Sequence, residues 1–147
     1  MDKPVRTVAD AMLTAPVRHS LDTTAGEIRD FFDDDHVHAA LIVGPAGYLA
    51  AVVERTDLAR SRDPGAAAVT LGKLTGRTVL ENVSLPAMQR TMSMAGRRRA
   101  AVIRDDGKLV GLLCLKASRA GFCSEDDVRA RAHHESGSIV MVSAAVG

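Results

Sequence analysis

The stretch GYLAAVVERTDL, residues 47–58, carries the pattern from which the fold can be inferred. A turn glycine precedes five apolar residues, and a short polar step then ends at Asp57. A run of about five small and β-branched residues is too short for a helix and is typical of a buried strand. Thr56 and Asp57 are residue types that begin helices, because their side-chain oxygens accept the free N–H groups of a first turn. Such a strand-to-helix step gathers N–H groups that suit an anionic or polyhydroxylic ligand.

The same layout returns sixty residues later as GKLVGLLCLKAS, residues 107–118. The register extends backwards without a gap, since ALIV at 40–43 aligns with AAVI at 100–103 and Thr24 aligns with Ser84. Nearer the start, Thr7 aligns with Thr70 at an offset of 63, so the second copy is three residues shorter there. Two copies are too few for a solenoid. They indicate two similar halves that share one core.

Composition excludes several classes of protein. A chain of 147 residues predicts one domain, or two small halves that behave as one. The net charge of +1 gives no general attraction to nucleic acid or to a membrane surface. No apolar run approaches the ~20 residues of a membrane-spanning helix, and the polar start is unlike a signal peptide. Cys114 and Cys123 fit a reduced, cytoplasmic protein better than a disulfide scaffold, and we expect Cys114 in the core and Cys123 more exposed.

Apolar spacing and turn signals predict the same order of elements in both halves. In the first half the prediction is a helix within 5–13, a strand at 17–19, a helix from the capping residue Thr24 to about 34, strands at 39–43 and 48–53, and a short helix at 56–60. In the second half it is a helical turn at 71–74, a strand at 78–80, a helix from 84 to 95, strands at 100–104 and 108–113, and a last helix from 124 before an apolar tail.

This order, run twice at constant spacing, resembles a tandem pair of cystathionine β-synthase (CBS) domains, the Bateman module. The pieces are VADAM at 8–12 leading to Pro16 and Val17, the hairpin over 40–53, and the closing motif, which in the family reads Gly-apolar-x-Thr/Ser-x-x-Asp. The resemblance implies an α+β fold of two βαββα units related by a pseudo-twofold axis. It places the first repeat at 1–61, a linker at 62–69, the second repeat at 70–122, and a C-terminal helix and tail at 123–147. It also implies a regulatory module, not an enzyme, that forms a homodimer.

Family members often bind adenosine-containing ligands such as AMP, ATP or S-adenosylmethionine, with the motif Asp on the ribose hydroxyls. Here the first repeat supplies Asp57 but has Glu54 at the Thr/Ser position, and the second has Cys114 and Ala117 at the two polar positions. The resemblance thus implies one nucleoside site and one degenerate site. Because Glu54 would repel phosphate, a ligand with little phosphate, or the cationic S-adenosylmethionine, is favoured. The ligand-binding candidates are Asp57, Thr56, Glu54, Pro16, Val17, His38 and Arg99.

Each candidate also has a simpler interpretation. Asp57 can stabilise only its own helix start, and Arg97–Arg99 can be a solvated loop. Glu54 can be solvated, or can pair with Arg55 or with an arginine of the other half. His36 and His38 lack a second cluster with metal-ligand spacing. A degenerate pair that serves as a dimerisation or partner-docking scaffold is therefore the alternative function. The sequence contains no nucleophile–base pair, phosphate loop or basic face with aromatic partners, so we expect neither an enzyme nor a nucleic-acid partner.

Overall fold

Two three-stranded sheets face each other in the computed structural model, which describes residues 6–35 and 37–124. The first half contains α1 (Val8–Ala11), β1 (Arg18–His19), α2 (Ala25–Phe31), β2 (Ala40–Val43), β3 (Leu49–Val53) and a 3₁₀ helix (Arg55–Arg60). The second half contains a 3₁₀ turn (Ala68–Thr70), β4 (Thr78–Leu80), α3 (Leu85–Ala95), β5 (Arg99–Ile103) and β6 (Leu109–Cys114). The predicted last helix and apolar tail lie outside the described residues. The α+β class is confirmed.

Strand pairing repeats at the spacing seen in the sequence. In each sheet the first strand runs parallel to the second, and the second runs antiparallel to the third. Arg18 pairs with Leu41 in one sheet and Thr78 pairs with Ala101 in the other, so both partners are displaced by sixty residues. The inner faces of the two sheets share one core of aliphatic side chains, which includes Leu41, Val52, Ala101 and Leu112.

Contacts between the halves are exchanged symmetrically. An isolated bridge joins Leu13 to Leu112, and its counterpart joins Lys73 to Val52. Leu13 and Lys73 are sixty positions apart, and so are Val52 and Leu112, so the two bridges are equivalent under a pseudo-twofold axis. Gly111 lies at the first of these approaches, where an added Cβ would come within 2.7 Å of the Leu13 carbonyl oxygen. The missing side chain therefore permits the two backbones to meet.

The two repeats are interlocked by their first segments. Val8 of α1 is fully buried in the core beneath α3, and its N–H donates to the Val83 carbonyl at 2.9 Å. In the reverse direction, Ala68 donates to the carbonyl of Thr23 at 2.9 Å and belongs to the core beneath α2. The segment interpreted as a linker thus contributes core residues to the first repeat. The repeat boundaries themselves stay a prediction.

Local sequence signals set the helix ends. Thr24 and Glu27 form the expected capping box, in which the Thr24 hydroxyl accepts from the Glu27 N–H at 3.2 Å. The α2 helix ends at Phe31, before the position near 34 that apolar spacing suggested. Gly96 adopts the left-handed conformation with φ of 69° and ends α3. The chain then turns directly into β5.

The cysteines differ from expectation. Cys114 and Cys123 form a disulfide with their Cα atoms 5.4 Å apart, whereas the sequence favoured two reduced thiols. Cys123 is 3% exposed, so its expected exposure was wrong. The cause is a backbone reversal after β6, in which Leu115 bridges Phe122 and the Cys123 N–H donates to the Cys114 carbonyl at 2.7 Å. Sequence patterns did not predict this return of the chain.

Candidate functional site

Three chain segments converge at one end of the first sheet. Strands β1 and β2 are parallel and start at this end, and β3, antiparallel to β2, finishes there. The residues just before β2 and just after β3 therefore lie side by side. The turn at Gly96 brings the start of β5 against them from the other half. The result is a cavity of about 200 Å³, lined by His38, Glu54, Gly96, Arg97, Arg98 and Arg99.

Only part of the predicted site surrounds this cavity. His38, Glu54 and Arg99 line it together. Asp57 is buried, with 6% of its surface exposed, and is not on the cavity wall. Thr56 is exposed on the 3₁₀ helix. The remaining two candidates precede β1 at the same end of the sheet and do not line the cavity; they are the buried Pro16 and the half-buried Val17.

Arg77 holds the Asp57 carboxylate. Its guanidinium donates from Nη1 to Oδ2 at 2.5 Å and from Nη2 to Oδ1 at 3.1 Å, with side chains only 7% and 8% exposed. The same Nη1 also donates to the Val52 carbonyl at 2.7 Å. Asp57 accepts a further hydrogen bond from the Glu54 N–H at 2.7 Å, as an acid in the first turn of a helix does. The carboxylate predicted to bind ribose therefore already has three protein donors.

Both members of this pair stay charged. Burial disfavours the charged form of Asp57, but hydrogen bonds from Arg77 and from the Glu54 N–H outweigh it, and the pKa of Asp57 lies below its ordinary value. The hydrogen bond to Asp57 raises the pKa of Arg77, against the opposing effect of burial. Such a bidentate pair is both strong and geometrically specific.

Glu54 lies between two arginines. Its carboxylate forms an ion pair with Arg97 and approaches Arg77 Nη2 at 3.4 Å. The Nε of Arg97 is buried and has no hydrogen-bond partner among residues 6–35 and 37–124. The Arg98 Nε donates to the Leu115 carbonyl at 3.2 Å. The cavity lining thus contains three arginines, Arg97, Arg98 and Arg99, and one carboxylate, Glu54. This excess of positive charge removes the reason for disfavouring phosphate.

Sequence analysis missed Arg77, whereas the ion pair between Glu54 and Arg97 agrees with its simpler interpretation of Glu54 as the partner of an arginine of the other half. One signal for Arg77 was present, because it occupies the position sixty residues after Val17, where the first repeat has an apolar side chain. The pairing itself was not predictable, since Asp57 and Arg77 belong to different repeats and follow no helical or strand period.

Up to Ser124, the second half has no equivalent of the Glu54 and Asp57 pair. Cys114 stands where the first repeat has Glu54, and its sulfur is used in the disulfide. The chain then folds back through the Leu115–Phe122 bridge, where the first repeat forms a 3₁₀ helix. The expected asymmetry between the halves is thus visible in backbone as well as in side chains.

Two larger cavities lie elsewhere in the described part of the chain. One, of about 610 Å³, lies between α1 and α3 and reaches Ser124, where the described residues end. The other, of about 670 Å³, borders the turn between β2 and β3 and includes Arg18, His19 and Asp22. Neither contains a predicted ligand residue. Among the described residues, no group of three or more His, Cys, Asp or Glu could hold a metal ion, and no helix is long and apolar enough to span a bilayer.

No protein-family model and no curated protein matches the chain. Solved structures do match. CBSX2 in complex with AMP superposes with a TM-score of 0.64 at 20% identity, covering 88% of this chain and 98% of that one. The fold is that of a tandem CBS-domain pair. A CBS domain protein of Pyrobaculum aerophilum in complex with AMP gives a TM-score of 0.61 at 21% identity, covering 74% and 87% of the two chains. The CBS domains of a transcriptional regulator from Streptococcus pneumoniae give 0.65 at 12% identity, covering 76% and 94%. Because these identities are low, the likeness defines the fold of the CBS pair and leaves its ligand open.

Proposed function

We propose that this CBS pair is a regulatory module, not an enzyme, which senses an adenosine-containing ligand in the cleft beside Asp57. The observation that carries the proposal is the clustering of Arg97, Arg98 and Arg99 against Glu54 at the cavity. Planar guanidinium groups match the oxygens of phosphate. Two proteins of the same fold contain AMP. Of the proposed ligands AMP, ATP and S-adenosylmethionine, the positive charge of the region favours the phosphorylated two.

Binding requires the cleft to widen. A volume of about 200 Å³ is below the ~300–1,000 Å³ of typical small-molecule sites. The Arg97–Glu54 pair closes it, and these side chains are 34% and 23% exposed, so water already screens the pair in part. Ion pairs at such exposure contribute about 1 kcal/mol or less. Separation of this pair therefore costs little free energy and would widen the cavity for a nucleotide.

The test is a thermal-shift and calorimetric titration with AMP, ATP, S-adenosylmethionine and adenosine. We expect AMP or ATP to stabilise the wild type, by about 2.7 kcal/mol at 100 times the dissociation constant. The response should disappear in Arg97→Ala and persist in Arg90→Ala, which removes an exposed arginine of α3 outside the cleft. Absence of a shift with every ligand would overturn the sensor proposal.

The alternative is a scaffold that docks a partner without ligand. It is favoured by the commitment of Asp57 to Arg77 and by the lack of polar ligand groups in the second half. In that case Arg97→Ala would leave partner binding intact. A homodimer is proposed under either function and is tested by light scattering after size exclusion. The proposed compartment is the cytoplasm, and the disulfide weighs against it because disulfides are rare there.

A further inference from the structure

Asp57 has little capacity left for a ligand. An ionised carboxylate offers about four acceptor positions, and three are used by Arg77 and the Glu54 N–H. Arg77 is itself anchored to the Val52 carbonyl, so its guanidinium has fixed partners on both sides. The group most suited to ribose hydroxyls is held inside the protein.

A ribose diol at Asp57 would replace the charged Arg77 donors by neutral hydroxyl donors. Arg77 would then lose its bidentate partner in a buried position and keep only the longer approach to the Glu54 carboxylate at 3.4 Å, which is a costly exchange. Charge-assisted bidentate pairs are about twice as strong as neutral hydrogen bonds, so two hydroxyls do not compensate for the loss. Ribose recognition at Asp57 is therefore opposed by the resident ion pair.

An anion in the cavity faces no such obstacle. It would compete with the Glu54 carboxylate for Arg97, whose buried Nε has no partner among the described residues. Glu54, once displaced, still has the Arg77 guanidinium at 3.4 Å. Release of Arg97 therefore leaves neither charge stranded.

We infer that Arg77 is a specificity-determining residue of this cleft: it acts as an internal substitute for ribose at Asp57, so the cleft recognises its ligand by a phosphate group and does not discriminate ribose hydroxyls. The inference rests on the proposed function and narrows its ligand class to phosphate monoesters and polyphosphates. It assigns Asp57 a structural role and Arg97 the ligand contact.

Calorimetry on the wild-type chain tests this with AMP, 2′-deoxy-AMP and adenosine. We expect the dissociation constants of AMP and 2′-deoxy-AMP to agree within about threefold, and adenosine to bind at least thirtyfold more weakly. A loss of more than tenfold for 2′-deoxy-AMP would overturn the inference and leave the proposed function standing. Failure of both AMP and ATP to bind would overturn the inference, and failure of S-adenosylmethionine and adenosine to bind as well would also overturn the proposed function.

A variant adds a positive test. Arg77→Met frees the Asp57 carboxylate, so a discrimination of at least tenfold between AMP and 2′-deoxy-AMP is expected to appear. Arg104→Met removes an exposed arginine from the β5–β6 turn and should leave the ratio near one. If Arg77→Met does not fold, the wild-type comparison decides alone. If it folds, binds AMP and shows no discrimination, Arg77 does not determine specificity.

Discussion

Replacement of Arg77 by methionine tests how much of the fold depends on one buried ion pair. The change removes both Arg77 hydrogen bonds to Asp57 and the one to the Val52 carbonyl. It leaves the buried carboxylate with the Glu54 N–H and the electrostatic attraction of Arg60. Removal of one partner from a buried pair costs about 3–5 kcal/mol. The two side chains are 7% and 8% exposed, so solvent screening reduces this little. With a urea dependence of about 2 kcal/mol per molar, the unfolding midpoint should fall by about 2 M.

Asp57→Asn should cost less than Arg77→Met, because Arg77 would keep the Val52 carbonyl and the Glu54 carboxylate. The double variant Asp57→Asn/Arg77→Met should recover at least half of the unfolding free energy that Arg77→Met loses, since it has no buried charge without a partner. Arg104→Met is the matched control, because its pair with Asp106 is 49% and 40% exposed and water screens it, so its removal should change stability little. Urea unfolding of all four proteins measures these values. Equal small losses in Arg77→Met and Arg104→Met would refute the reasoning.

Three further predictions concern the core, the disulfide and pH. Gly111→Ala should lower the free energy of unfolding by about 1–3 kcal/mol through overpacking. The control Gly121→Ala has nothing within 4 Å of the new Cβ and should change that free energy by less than about 0.5 kcal/mol. Equal effects of the two variants in urea unfolding would contradict this. Cys123→Ala, or a reductant, should remove about 2.6 kcal/mol for a loop closed over nine residues, and a reductant should then have no added effect on the variant. Acidification should destabilise the fold in two steps. Burial lowers the pKa of His19 below its unfolded value of about 6.5, and a nearby glutamate opposes this only in part. The unfolded chain therefore binds more protons than the folded one, so stability falls as the pH decreases from about 6.5. The Asp57 pKa is also depressed, so its contribution is lost as the pH falls from about 3.9 through the folded value. Melting temperatures from pH 8 to 2 measure both steps, and a His19→Asn variant that keeps the first would show that His19 is not its cause.

Local sequence patterns predicted much of the architecture. The hairpin strands follow apolar runs bounded by Gly47 and Gly107, both of which adopt positive φ as turn glycines do. The capping box at Thr24 and the helix stop at Gly96 act within one turn, so nearest-neighbour chemistry determines them. The offset of sixty residues reappears unchanged in strand pairing. Such features need only contacts between residues that are close in sequence or repeated in it.

The candidate site depended on contacts that no period encodes. Asp57 meets Arg77, and Glu54 meets Arg97, across the boundary between repeats. Asp57, which sequence analysis assigned to ribose binding, is one half of an internal ion pair. Glu54, which was expected to repel phosphate, is neutralised by Arg97.

The sequence by itself determined the repeat, its strands and turns, and the asymmetry between the two motif ends, because each is a local or periodic property of the chain. Only the tertiary structure decided that α1 packs beneath α3, that Cys123 returns to Cys114, and that Arg77 reaches Asp57. The first and the third depend on how one half is placed on the other, and the second depends on the backbone reversal after β6. That placement follows from the shared apolar core between the sheets, and the charged side chains at its edge take the partners that the core brings within reach.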